Sequence, residues 1–256
     1  MKKAAAITGT ICAVILIYIL GSIWASCHLL KVNEFTVDTG REETPFRAVV
    51  ISDLHDHEFG AANHRLAEKI REIQPDLILM DGDMLNDTSG SAKVPLKLIP
   101  QLEEAGAVVL DKNFVDIEVN GRGIRLGGMY DYAFGLNGNN DALAAPDDTL
   151  TFLQEFQDTD RLKIMMAHRP DSFIFGDASK VWDVDLVISG HNHGGQVVIP
   201  FLGGLYGGDQ GWFPEYIHGI YEKDNIQMFV TSGLGTHKEK LPRFNNLPEI
   251  AVLTIR

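Results

Sequence analysis

The stretch that decides the fold is "DLVISGHNHGGQVVI", Asp185 to Ile199. The apolar run Leu186-Val187-Ile188 reads as a buried strand, and it stops at Ser189-Gly190. His191 and His193 follow with one residue between them, and then Gly194-Gly195. Strand interiors disfavour glycine, so glycines around two histidines predict a tight loop at the strand's tip. A loop fixed on a rigid strand is where a chain presents ligands and catalytic groups.

Outward from this stretch the same design recurs. "FRAVVISDLH" (46–55) is a strand running into a polar loop, and Gly60 and Asn63 then start a helix. Ala62, Leu66, Ile70 and Ile73 share one face at helical spacing. Pro75 ends that helix, because proline cannot continue the hydrogen-bond ladder. "DLILMDGD" (76–83) is the next strand, so strand, helix and strand predict a parallel pair. Both strands carry acidic groups at their C-terminal ends, where open α/β sheets place their sites.

Residues 95–105 and 147–157 read as helices, and 107–129 as short strands around the turn Asn120-Gly121. "LKIMMAHRP" is a further strand ending in a histidine. The tail is strand-rich, with "VVIP", "EYIHGIYE", "IQMFVTSG" and "EIAVLTI". Four strands thus end in Asp53-Leu54-His55, Gly82-Asp83, His168 and His191-Asn192-His193. Singly, each has an ordinary explanation as a turn or a surface group. Together they put carboxylates and imidazoles at one end of successive strands. Such a mixed oxygen and nitrogen set suits Mn²⁺, Fe, Zn²⁺ or Co²⁺ better than Ca²⁺.

Composition bounds the rest. The 256 residues suffice for one sizeable core or two small ones. A formal charge of −13 excludes a nucleic-acid backbone as the expected partner, since such sites need basic surface. Lys2 and Lys3 precede an uncharged run from Ala4 to Cys27, long enough to cross a bilayer as a helix. A cleaved signal peptide is the competing reading, but Ile23 and Trp24 stand where small residues should precede a cleavage site. The expectation is an uncleaved anchor over 1–27, a spacer over 28–44 and a folded domain over 45–256. The lysine pair predicts a single-pass protein of the cell membrane with a cytoplasmic N-terminus and an extracytoplasmic domain. The two cysteines, Cys12 and Cys27, both fall in the anchor, so the domain holds no disulfide.

The chain resembles the calcineurin-like metallophosphoesterases, and especially their membrane-anchored bacterial branch. The resemblance runs from about Phe46 onward. It rests on "SDLHDHEFG", "PDLILMDGDMLND", "MMAHRPD", "SGHNHGGQ", "TSGLGT" and "PRFNNLPEI", in that order. It implies an α/β fold, two facing mixed β-sheets flanked by helices, with a two-metal site at the sheet edge. Residue by residue, Asp53, His55 and His193 would hold the first metal, Asp83 would bridge both, and His168 and His191 would hold the second. Two cations would neutralise the phosphoryl oxygens and lower the pKa of the attacking water. Gly194 and Gly195 would let the backbone pass close to the metals, and Gly82 would relieve crowding beside the bridge.

Two departures from the family pattern stand out. Its Gly-Asn-His-Asp/Glu motif, which supplies a second-metal Asn and an acid His, is missing. "VPLKLIPQL" runs straight into "EEAGAVVLDKN", as if a strand, loop and helix were deleted near 100–106. Gly138-Asn139-Asn140-Asp141 echoes the motif but lacks the histidine and reads as a polar loop. In "GDMLND", Asn86 stands where the family has a second Asp. The second site is therefore expected to be weakened. His57 is the candidate substitute acid, with His237 behind it, although each also reads as a solvated surface histidine.

The resemblance implies a metal-dependent phosphoesterase cleaving a phosphodiester or pyrophosphate, on a small or lipid-linked substrate. Some relatives of the anchored branch cleave the pyrophosphate of UDP-2,3-diacylglucosamine. The alternative is a catalytically impaired or non-catalytic metal-binding surface module. Trp212, Phe213, Tyr216 and Tyr221 either line a substrate or lipid-facing groove or pack between strands.

Overall fold

The computed structural model describes residues 2–41, 43–86, 95–129, 142–174, 176–236 and 241–256. In chain order the elements are α1 (Lys2–His28), β1 (Lys31–Val37), β2 (Phe46–Ile51), α2 (His64–Ile73), β3 (Leu77–Met80) and α3 (Pro95–Glu104). There follow β4 (Asn113–Val119), β5 (Arg122–Met129), α4 (Asp147–Gln157), β6 (Leu162–Ala167), α5 (Asp171–Ile174), α6 (Ala178–Val181) and β7 (Leu186–Ser189). The last third adds the two-residue strands β8 (Val198–Ile199), β9 (Gly203–Gly204), β10 (Tyr206–Gly207) and β11 (Gly211–Trp212). It closes with β12 (Gly219–Lys223), β13 (Ile226–Val230) and β14 (Glu249–Ile255).

Two mixed sheets face each other. One has the order β1-β14-β2-β3 and the other β12-β13-β7-β6-β5-β4. β2 and β3 are parallel, as the strand-helix-strand reading requires, and so are β6 and β7. The hairpin β4–β5 turns at Asn120 and Gly121, both left-handed, which matches the twist of the flanking strands.

Alternation along the strands builds three apolar layers. Ala48, Val50, Leu79 and Leu253 meet Ile124, Ile164, Ile188 and Phe229 between the sheets. Val49, Ile51 and Val252 point the other way, onto Leu66, Ile70 and Ile73 of α2. Met165, Val187 and Met228 pack under Phe152, Leu153 and Phe156 of α4. Each such side chain contributes about 1.5–3 kcal/mol on full burial. The result is a helix–sheet–sheet–helix sandwich, an α/β fold with the expected two facing sheets.

Several local expectations need correction. Residues 31–37 of the expected spacer form β1, parallel to β14, with Lys31 opposite Glu249 and Val37 opposite Ile255. Their alternation of exposed and more buried side chains from Val32 onward suits a sheet with one face covered. Ala62 does not join the buried face of α2. It lies exposed in a left-handed kink before the helix begins.

α1 is apolar on all sides and exposes Ile7, Ile11, Val14, Ile15, Leu16, Ile17 and Leu20. It is long and apolar enough to cross a membrane by length and composition, a test that a signal sequence also passes. Its C-terminal half is attached to the domain. Tyr18 and Ser22 donate to Asn245 Oδ1 at 2.8 and 2.9 Å, and the Asn246 N–H donates to Ser26 Oγ at 3.3 Å.

Candidate metal centre

The C-terminal ends of β2 and β3 in one sheet meet those of β6 and β7 in the other. Asp53 and His55 follow β2, Asp83 follows β3, His168 follows β6, and His191 and His193 follow β7. All six expected ligands converge there. They form two groups, Asp53 with His55 and His193, and Asp83 with His168 and His191.

In the first group, His55 Nε2 and His193 Nε2 lie 3.3 Å apart. Asp53 Oδ1 is 3.6 Å from His193 Nε2 and 4.0 Å from His55 Nε2. Asp83 Oδ2 is 3.5 Å from His55 Nε2 and 3.5 Å from His168 Nε2, so one oxygen sits between the two groups. Ligand atoms at these separations fit a shared cation about 2.0–2.2 Å from each. His168 Nε2 is buried and has no hydrogen-bond partner, as suits a lone pair aimed at a cation. The other ring nitrogen, Nδ1, lies 2.6 Å from the Asp81 carbonyl, which fixes the tautomer as metal-binding histidines require. The residues therefore fit the binding of divalent metal.

The backbone at these positions is unusual. Asp53, His55, Asp83, His191 and His193 all have left-handed φ, between 47° and 66°. Such conformations cost a residue with a side chain about 1–3 kcal/mol and cluster where function over-determines the geometry. Each turn lets consecutive polar side chains leave a strand end on the same side.

Glycine permits the close approaches. A Cβ on Gly82 would lie 2.7 Å from the His168 ring, as the expected crowding beside the bridge implies. Gly194 and Gly195 do something other than expected. Their missing side chains make room for Ser232, Asn246 and the Gly204 backbone of the β8–β9 hairpin, rather than for the ligand atoms.

A supporting shell holds the ligands, and sequence reading missed most of it. The carbonyls of Ser52 and Asp53 accept from Leu234 and Gly235 N–H at 3.0 and 2.7 Å. That loop is in turn pinned by buried Arg243, which donates to the carbonyls of Gly235 and Gly233 at 2.9 and 3.1 Å and to that of Ser232. Asn246 Nδ2 donates to the His193 carbonyl at 2.6 Å. Asn86 Nδ2 donates to the His55 carbonyl at 2.5 Å, a bond that an acceptor-only aspartate in its place could not make. Asp209 Oδ2 lies 3.0 Å from His191 Nε2 and accepts from Arg169 at 2.7 Å. The motifs "TSGLGT" and "PRFNNLPEI" flagged Arg243 and Asn246 only as family signature. Asp209 and Asp81 gave no signal beyond being acidic residues near a glycine.

Electrostatics follow from this crowding. Burial pushes the Asp53 and Asp83 carboxyls up, but the surrounding histidines outweigh it, and both end below the usual aspartate range. Burial opposes a charge on His168, yet Asp53, Asp81 and Asp83 raise its pKa well above the ordinary value. Asp81, fully enclosed beside it, is pushed up by burial to about 6. Burial also lowers the Arg243 guanidinium to about 10.

His57 lies apart from the six ligands' mutual contacts. Its ring meets that of Phe59 in a tilted contact, 4.6 Å between centroids, and its side chain meets the Cys27 backbone at the end of α1. Burial lowers its pKa. His237, Asp87 and Gly138-Asn139-Asn140-Asp141 lie outside the described residues. The aromatic group divides. Tyr216 and Tyr221 pack against the outer core of the six-stranded sheet, with ring centroids 5.1 Å apart, while Trp212 and Phe213 are exposed.

No family model matches the chain. It is 26% identical over 253 residues to the uncharacterized metallophosphoesterase YkuE of Bacillus subtilis (strain 168), covering 90% of this chain and 86% of that protein. It is 24% identical over 241 residues to the uncharacterized protein YpbG of the same organism, covering 88% and 87%. It is 32% identical over 148 residues to the uncharacterized metallophosphoesterase Cj0846 of Campylobacter jejuni, covering 57% of this chain and 33% of that one. These relatives, together with six ligand side chains gathered at the ends of four strands, support the calcineurin-like metallophosphoesterase family for this chain.

Proposed function

We propose that the chain is a membrane-anchored phosphoesterase that hydrolyses a phosphodiester or pyrophosphate of a small or lipid-linked substrate. The observation that carries this reading is Asp83 Oδ2, set 3.5 Å from both His55 Nε2 and His168 Nε2. A carboxylate so placed can be shared between two ion sites and fix their separation. Divalent ions there, of the Mn, Fe, Zn or Co type, would supply Lewis-acid charge and a water of lowered pKa.

The chain's own groups do the rest. Asp53 and Asp83 stay ionised at neutral pH and so remain available as ligands. Arg169, held at the second group by Asp209, offers a planar guanidinium to an anionic phosphoryl oxygen. His57 is the proposed proton donor to the leaving group. The apolar, exposed α1 supports the anchor, with the charged Lys2-Lys3 pair on the cytoplasmic side and the domain outside.

One observation favours the catalytically impaired alternative. Among the described residues β3 is the outermost strand of its sheet, and Ile78 and Met80 are exposed there. A deleted strand of the missing motif would leave such an edge. Hydrolysis of bis(p-nitrophenyl) phosphate by the full chain with Mn²⁺, beside an Asp83→Asn variant, separates the two readings. Turnover lost in the variant supports the enzyme. No turnover by either protein, with metal still bound, supports the binding module.

A further inference from the structure

The segment between β7 and β12 carries a surface that catalysis does not explain. From Val197 to Pro214 the only charged residue is Asp209, which turns inward to His191 and Arg169. The same segment exposes five large apolar side chains: Phe201, Leu202, Tyr206, Trp212 and Phe213. Phe201 and Leu202 form the tip of the hairpin β8–β9, and Tyr206 and Trp212 pair across β10–β11 with rings 5.5 Å apart. Phe201 and Phe213 hold left-handed φ of 69° and 53°, costly for bulky residues that lie exposed.

The position of this surface relative to α1 says what covers it. Asn245 Nδ2 donates to the Val198 carbonyl at the base of the hairpin, while Asn245 Oδ1 accepts from Tyr18 and Ser22. Tyr18 and Phe244 meet edge to face at 5.8 Å. The hairpin base is therefore tied to the C-terminal half of the uncharged run Ala4–Cys27. A bilayer core takes about 20 residues of that run, which leaves only about four to spare. At 1.5 Å per residue, Ser22 lies about 7 Å and Tyr18 about 13 Å below Cys27 along the helix axis. Chain attached at that level meets headgroups and upper acyl chains, where aromatic side chains are favoured.

We propose that the 200–213 rim, led by Phe201, Leu202, Trp212 and Phe213, dips into the phospholipid leaflet beside α1. The inference rests on the anchored reading and deepens it. A Cβ on Gly208 would lie 2.7 Å from His191 Nε2, so the rim is continuous with the second ligand group. That group then opens at headgroup level, where a phosphoester carried by a lipid is presented.

Nitrobenzoxadiazole labels on the full chain in phosphatidylcholine–phosphatidylglycerol vesicles test this. One reporter is the native Cys12 in a Cys27→Ser protein, which reads insertion of α1. The others are Leu202→Cys, Phe213→Cys and Glu155→Cys, each with Cys12→Ser and Cys27→Ser. All three positions are exposed, so the label does not disturb a core, and Glu155 lies on α4 over the outer face of the six-stranded sheet. Lipids spin-labelled high on the acyl chain should quench and blue-shift Cys12, Leu202→Cys and Phe213→Cys but not Glu155→Cys. Quenching at Cys12 with Leu202→Cys and Phe213→Cys matching Glu155→Cys overturns the rim and leaves the anchor standing. Absence of quenching at Cys12 overturns the anchor, and the rim with it.

Discussion

His191 Nε2 lies 3.0 Å from a carboxylate oxygen of Asp209, eighteen residues further along the chain. A carboxylate there accepts a hydrogen bond from one ring nitrogen, which leaves the lone pair of the other to face a cation. Partners of this kind are worth about 10–100-fold in metal affinity. Asp209→Asn is expected to weaken the second site by that factor and to leave the first unchanged. Calorimetric titration of the metal-free protein with Mn²⁺ reads both affinities.

Unequal affinity is also expected of the native protein. The first group consists of the buried Asp53, His55 and His193, while the second relies on a half-exposed Asp83, and the sequence offers no counterpart of the Asn that the resemblance implies for it. Titration should resolve a tight and a loose ion. Two ions of equal affinity would contradict the ligand count.

Asp83 Oδ2 lies 3.5 Å from His55 of one group and from His168 of the other, so its removal should be worse than the loss of either histidine alone. Asp83→Asn is expected to bind at most one metal weakly and to lose phosphodiester hydrolysis. Metal content by mass spectrometry, read beside the rate, checks this.

His57 has its pKa lowered by burial and sits beside the end of α1. If it delivers a proton, the leaving group decides how much its loss is felt. His57→Ala should slow esters of alkyl alcohols by ~10²-fold or more, yet barely affect nitrophenyl esters, which leave unprotonated. Equal rates on both substrate types would remove His57 from the mechanism.

The fold has a pH-sensitive joint outside the metal centre. Burial pushes buried Glu249 up, but His218, Asn33 and the Ser232 N–H outweigh it and hold its carboxyl below the usual range. A depressed carboxyl stabilises the fold above the ordinary glutamate pKa, and that contribution disappears as pH falls through the folded value. Glu249→Gln should cost about 1–3 kcal/mol at neutral pH and flatten the acid limb of stability. Urea unfolding between pH 7 and pH 4 reads both effects.

The clustering of the six candidate ligands was legible because each follows an apolar run that reads as a strand. Asp53, His55, Asp83, His168, His191 and His193 all stand within a few residues of such a run's end, and loop chemistry there is a local signal. The turn at Asn120-Gly121 and the helix Asp147–Gln157 were local too, and both appear as read. Gly194 and Gly195 were misread, because which backbone a bare Cα admits depends on what folds over it, here Gly204 and Asn246.

By itself the sequence determined the strand runs, the apolar helix at the N-terminus and which six carboxylate and imidazole side chains stand at the strand ends. Hydrophobic periodicity and glycine placement are short-range, and a linear chain records them completely. Only the tertiary structure decided that the ligands come from two sheets rather than one, and that residues 31–37 belong to the first of them. It alone brought Asp209 to His191, Arg243 under the Asp53 loop, and the 200–213 rim beside Tyr18 and Ser22. Those contacts join segments far apart in the chain, and their partners are chosen by packing and burial, which no local pattern encodes.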